Sequence, residues 1–384
     1  MNQKKRLILG LSLNKLADLL ISAKTTLTAL LVSVGAPVWM IGWLVPIRES
    51  GALLPQVLIS IYLRNHADRH KVWRVGMLIQ AFSIVGIIVF VILFSGFKAG
   101  IGVLLSLVIL SIGRSACSLT VKDIEADVVK KGQRGNLIGI ASTISGLVTL
   151  CIAIPLVVFE GAFSSNTLLV ILCASLLSFS LTLVCVWPIK TRVYTGDKSR
   201  NSFSVNFDST VYKFIFVRGL FVHSALVAPY FMTERNGDVQ ELLPIYIGAE
   251  ALAALLSSII WGKIADKSAK LTLQVSGVLA LIACIGLLSL EATPIFISAL
   301  LFFVLSIAHA GVRTGRKTYS LDVKEGHERT ELVGFSNTAI GLILLGFGAI
   351  YAFLSSVLAF TVVYIMAVML LLAILATAIL PNEK

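Results

Sequence analysis

Apolar residues recur along this chain in blocks of about 20, each bounded by Lys, Arg, Gly or Pro, and a block of that length crosses a hydrocarbon core of about 30 Å as a helix. The pattern predicts twelve such helices, at 10–34, 38–63, 72–96, 98–121, 135–159, 165–187, 211–233, 241–262, 271–290, 292–315, 331–355 and 357–380. Very little sequence is left for a soluble domain.

Composition supplies the solvent. Of 384 residues, 57% are hydrophobic and 14% charged, against roughly 25% charged in soluble domains. A formal charge of +12 invites a nucleic-acid reading, and the placement of the basic residues excludes it. With twelve spans, one side of the membrane carries "KKR" (4–6), "RNHADRHKVWR" (64–74), "KKGQR" (130–134), Lys190, Arg192, Lys198, Arg200, "GKIADKSAK" (262–270) and "RTGRK" (313–317). The other side carries Lys98 and Arg235 with Glu160, Glu234, Asp238, Glu241 and Glu291. The positive-inside rule then places both termini in the cytoplasm, and the basic amino terminus reads as the start of the first span.

The five cysteines, Cys117, Cys151, Cys173, Cys185 and Cys284, are odd in number and fall within spans, which argues against a disulfide framework or a zinc site. His66 and His70 have metal-ligand spacing but sit in a basic loop. No metal, no cofactor and no enzyme activity is expected, since the hydrolase, ATPase and metal motifs are missing.

The chain also repeats itself. "ADR" at 67–69 matches "ADK" at 265–267 and "PI" at 46–47 matches "PI" at 244–245, both at an offset of 198. Further along, Lys122 matches Lys317, Gly139 matches Gly334, Thr143 matches Thr338 and "GL" at 146–147 matches "GL" at 341–342, at an offset of 195. Collinear matches of this kind predict two parallel repeats of six spans, 1–189 and 211–384, joined by a polar, Ser-rich cytoplasmic linker at 190–210.

Two six-helix halves with a "G-x-x-x-D-[RK]" turn after the second helix of each resemble the major facilitator superfamily of secondary transporters. The carboxyl half has the turn as Gly262, Asp266, Lys267 and Lys270; the amino half keeps Asp68, Arg69, Lys71 and Arg74, with Arg64 in place of glycine. The resemblance implies an all-α membrane protein in two pseudo-symmetric bundles, with these residues as a conformational latch and Arg114 as a basic residue of proton coupling. The fifth span lacks the "G-P-x-x-G-G" run of proton-driven drug antiporters, and "GAPVWMIGWLVPIRESGALLPQ" resembles a bacterial branch of the superfamily.

Charges inside the spans are the remaining signal. Counted by helical rise, Arg48, Glu49 and Lys24 lie roughly 15 Å deep, Glu250 roughly 13 Å and His223 roughly 15 to 18 Å. A charge facing lipid at that depth costs about 3 kcal/mol or more, so these residues must face a watery cavity or one another. A buried ion-pair network such as Lys24 with Glu49 is the purely structural alternative, and for His223 a helix-contact histidine is the alternative. Tyr246 and Gln56, within two turns of a midplane charge, complete the expected solute site. Nearer the cytoplasm, Asp18, Arg114 and Arg218 sit roughly 10 to 13 Å from the inner surface. Asp18 with Arg114 is the first expected proton-coupling pair, and Glu49 or Glu250 the second.

These features predict a secondary transporter, monomeric, in a bacterial inner membrane. Its partners are a small carboxylate, zwitterion or chelator, with protons as coupling ion, the surrounding lipid and no nucleic acid; the missing antiporter motif favours symport. The rivals are a proton-driven exporter of amphipathic compounds and a non-transporting assembly factor or sensor with the same fold.

Overall fold

The computed structural model describes residues 2–56, 58–59, 63, 69–128, 134–158, 165–189, 209–233, 239–265, 267–289, 294–323, 326–358 and 361–381. Its regular structure, among these residues, is helical. The amino half contains α1 (Gln3–Leu20), α2 (Thr26–Ser33), α3 (Ile41–Leu53), α4 (Arg69–Leu93), α5 (Gly96–Val128), α6 (Arg134–Val158) and α7 (Ser165–Val186). The carboxyl half contains α8 (Ser209–Leu220), α9 (His223–Leu226), α10 (Tyr230–Thr233), α11 (Val239–Ala265), α12 (Ala269–Leu287), α13 (Ile295–Val323), α14 (Gly326–Val357) and α15 (Val363–Ala376).

Among the described residues, seven stretches are long and apolar enough to cross a membrane: Arg69–Leu93, Gly96–Val121, Thr167–Val186, Ser209–Thr233, Ala269–Leu287, Ile295–Tyr319 and Phe335–Val357. Three shorter apolar helices, Ile140–Pro155, Leu242–Ser257 and Val363–Ile379, accompany them. Their outer faces are apolar as well as their inner ones: Phe82, Leu105, Val170, Leu177 and Phe353 all stand exposed. A helix apolar all round is suited to lipid. Its hydroxyls are satisfied within the helix, as where Ser111 and Thr182 donate to the carbonyls of Leu107 and Ser178, both at 2.8 Å.

The stretches expected as the continuous first and seventh spans are broken. α1 stops at Leu20 and α2 starts at Thr26, with Lys24 in the turn between them. Here "SAKTT" favours side-chain bonds to the backbone over helix: Ser22 Oγ accepts from the Lys24 N–H at 3.2 Å and Thr28 Oγ1 donates to the Ala23 carbonyl at 3.0 Å. The second break separates α8, α9 and α10; Pro229, without an N–H, cannot continue a helix there. Shifted by the repeat offset of 198, the first break overlaps the second.

Within the amino half α1 packs on α6 and α7, α4 on α5 and α7, and α3 on α5. Within the carboxyl half α12 packs on α13 and α15, α11 on α13, and α14 on α8. The halves meet where α3 lies along α14 and α6 along α11. Glycines set the approach at both seams: a Cβ would come within 2.7 Å of Leu255 Cγ at Gly146, 2.9 Å of Leu54 at Gly341, and 2.6 Å of Pro46 Cγ at Gly348. Close approach through small residues is the main packing device available in lipid. The side-chain positions of Gly139 and Gly334 lie outside the described residues.

Candidate functional site

α1, α3 and α5 are tied together by one carboxylate. Asp18 Oδ1 accepts from Arg48 Nη2 at 2.7 Å and lies 3.7 Å from Arg114 Nη1. The Arg48 side chain is 5% exposed and that of Asp18 22%, and Nη1 of Arg48 is buried without a partner. Asp18 and Arg114 thus meet, as expected. Arg48, expected in the outer group with Lys24, is instead the nearest partner of Asp18. Successive residues on a helix point about 100° apart, so adjacent Arg48 and Glu49 serve different surroundings: Arg48 locks its own half, and Glu49 lines a cleft.

That cleft is lined by Glu49 of α3, Arg218 of α8, Val222 and Ala225 at the second break, His309 and Arg316 of α13, and Leu344 of α14. Glu49 is half-buried and lies in the field of Arg114, Arg313, Lys24 and Arg316. Lys24, also half-buried, lies in the field of Glu250 and Glu49, opposed by Arg313 and Arg114. Among the described residues Lys24 and Glu49 form no ion pair, so the simple structural pairing is not what holds them there. Glu250 of α11 accepts from Thr25 Oγ1 at 3.4 Å, which brings the carboxyl half against the first break. Arg218 is 8% exposed and held by neutral acceptors, Ser336 Oγ at 2.9 Å and Asn337 Oδ1 at 2.7 Å.

Three expected site residues are engaged elsewhere. His223 is fully buried, with Nδ1 2.7 Å from the Leu220 carbonyl and Nε2 2.7 Å from Tyr351 Oη, and its ring packs edge-on against Phe347. Tyr246 is fully buried, donates to the Phe231 carbonyl at 3.2 Å, bonds Ser298 and stacks on Phe302. Gln56 donates to Ser118 Oγ at 3.1 Å and to the Ala52 carbonyl at 2.9 Å.

Arg313 and Arg316, at the cytoplasmic end of the expected 292–315 span, are not among the expected site residues. They lie inside α13, which runs on to Val323. The available signal was spacing: Arg313 and Arg316, three apart, share a face. Gly311 and Gly315, four apart, share the packed one, where a Cβ would come within 2.5 Å of Trp261 and 3.0 Å of Leu273.

Of the latch residues, Asp68 and Asp266 lie outside the described residues. Arg74 stands over the Trp187 ring at 4.8 Å and donates to the carbonyls of Trp187 and Ile189, capping the end of α7. Arg69 donates to the Leu63 carbonyl at 3.0 Å and Lys270 to that of Leu380 at 3.1 Å. Lys71 and Lys267 are exposed. Among the described residues a Cβ at Gly262 would meet nothing within 4 Å.

No family model matches the chain, and no curated protein matches it. Solved structures do. The xylose transporter XylE of E. coli in an inward-open conformation matches at 13% identity over 99% of this chain and 96% of its own, with a TM-score of 0.74. A bacterial homologue of the iron transporter ferroportin matches in its inward-facing state at 17% identity over 98% of both chains, TM-score 0.71. In the outward-facing state the match is 16% over 98% and 99%, TM-score 0.62. The chain is therefore a multi-pass membrane protein with a transporter fold. That fold is the one shared by transporters of the major facilitator superfamily.

Proposed function

We propose that this chain is a secondary active transporter. It moves a small charged organic solute across a bacterial cytoplasmic membrane by rocking two six-helix bundles, 1–189 and 211–384, about a site at their interface. The observation that carries this reading is the cleft itself. Glu49 from one half, and Arg218 and Arg316 from the other, line a single cavity beside the second helix break at Phe221 and Val222, and interrupted helices are where transporters place their sites.

The higher score against an inward-facing than an outward-facing homologue, together with the tight contact of Gly348 on Pro46, supports an inward-open state closed at the outer end of α3 and α14. Both termini are cytoplasmic by the positive-inside rule. Asp18, shared between Arg48 and Arg114, and Glu49, ringed by cations, are the carboxylates through which a proton couples: protonation would release Arg48 or Arg114 and loosen α1 from α3 and α5. The solute site comprises Lys24, Glu49 and Glu250 with Arg218 and Arg316. His223 and Tyr246 support the helices around it.

The test is solute counterflow in proteoliposomes with a panel of organic acids, amino acids and sugars. Exchange of a charged organic solute, weakened by Glu49→Gln, is the expected result. A protein that exchanges no solute under any gradient would overturn the reading.

A further inference from the structure

The charges around the cleft do not balance, and the surplus points to the kind of solute. Among the described residues, seven cations, Lys15, Lys24, Arg48, Arg114, Arg218, Arg313 and Arg316, are coupled electrostatically to one another and to four carboxylates, Asp18, Glu49, Glu125 and Glu250. The excess is three positive charges. It is concentrated on the carboxyl-half wall of the cleft, where Arg218 and Arg316 lie within each other's field.

Two orphaned groups sharpen this. Arg218, more than nine-tenths buried, has only neutral acceptors for two of its nitrogens, and its Nε has no partner. Arg48 Nη1 is likewise buried and unpartnered. A buried cation without a counter-charge is costly, and Arg218, in the wall of the cleft, is one. An anion entering the cleft would relieve that cost on arrival, and planar guanidiniums match a carboxylate or phosphate oxygen pair. A bare metal cation, or a solute with a net positive charge, would add to the surplus. Among the described residues no group of three His, Cys, Asp or Glu stands ready for a metal.

We propose that the cleft takes an organic anion bearing at least two negative charges, with one acidic group seated on Arg218 and Arg316. This deepens the transporter reading and rests on it for the movement of the solute, but not for its binding.

Purified protein in detergent is screened for thermal stabilisation by citrate and succinate, against lactate, lysine, xylose and manganese chloride at matched ionic strength. Citrate and succinate raise the melting temperature, the other four do not, and added salt weakens the effect. Arg218→Gln and Arg316→Gln each weaken citrate binding by about tenfold or more, the loss of one charge-assisted contact, whereas Lys98→Gln, exposed and outside the cleft, changes nothing. Stabilisation by lysine or manganese in place of the anions overturns the proposal. So does citrate binding that survives both arginine variants unchanged. Counterflow separates the two readings: if citrate binds in this pattern yet no solute ever exchanges, the anion site stands and transport falls. If xylose or lysine exchanges while citrate neither binds nor exchanges, transport stands and the anion site falls.

Discussion

Asp18→Asn should destabilise the protein more than Arg48→Gln does, although the two residues form one ion pair. The pair is at 2.7 Å, with Arg48 5% and Asp18 22% exposed. Its loss therefore falls between the 0 to 1 kcal/mol of a surface pair and the 3 to 5 kcal/mol of a fully buried one, at about 2 kcal/mol. Asp18→Asn carries a further cost. The same oxygen lies 3.7 Å from Arg114, so the two guanidiniums approach within about 6 Å and would repel by about 3 kcal/mol at an effective dielectric of about 20.

Arg48→Gln leaves Asp18 to Arg114 and removes a buried nitrogen that had no partner, so its cost stays near 1 kcal/mol. The double variant should recover roughly 2 kcal/mol relative to Asp18→Asn alone, a strongly non-additive cycle. Denaturation in detergent followed by tryptophan fluorescence reads all four proteins. If Asp18→Asn were no worse than Arg48→Gln, or if the two losses simply added, the shared-carboxylate reasoning would be refuted.

Three further outcomes follow from the packing. A Cβ at Gly42 would lie 3.9 Å from Ala352 Cα, so cysteines at both positions should form a disulfide across the seam of α3 and α14, stopping transport until reduced; free transport in the oxidised protein would contradict a moving seam. Gly348→Val drives a side chain into the Pro46 ring, 2.6 Å from the glycine's Cβ position. It should shift the population toward the outward-open state, seen as a longer spin-label distance between the outer ends of α3 and α14; an unchanged distance would contradict it. Tyr351→Phe removes the 2.7 Å bond to His223 and should cost about 1 kcal/mol of stability while leaving solute affinity intact; a large loss of affinity would return His223 to the site.

What the chain discloses before folding follows from the physics of lipid. The apolar blocks that became α4, α5, α12 and α13 are legible because a span has a fixed minimum length, and the meeting of Asp18 with Arg114 is legible because unpaired charges cannot face lipid. Counting residues gives depth but not direction around the helix. That is why His223 and Tyr246, at the right depth, turn out to point into packed aromatic surroundings, and why Arg48 turns toward Asp18 while its neighbour Glu49 faces the cleft. The broken first and seventh helices stay hidden because each break is made by short polar side chains or one proline within sequence that is otherwise apolar. Arg313 and Arg316 read as the basic cytoplasmic end of a span for the opposite reason: the helix runs on to Val323, and a charged helical extension has the composition of a connection.

The decisive measurement is chemical access to the cleft from each side of the membrane. In protein lacking the five native cysteines, Glu49→Cys and Glu250→Cys, one from each half, are exposed to a membrane-impermeant sulfonated thiol reagent from the cytoplasmic face and then, with solute supplied, from the outer face. Both positions should react from the cytoplasmic side at rest and become reactive from the outer side during turnover. If neither cysteine reacts from either face, the charges are sealed in dry protein and do not line a solute site.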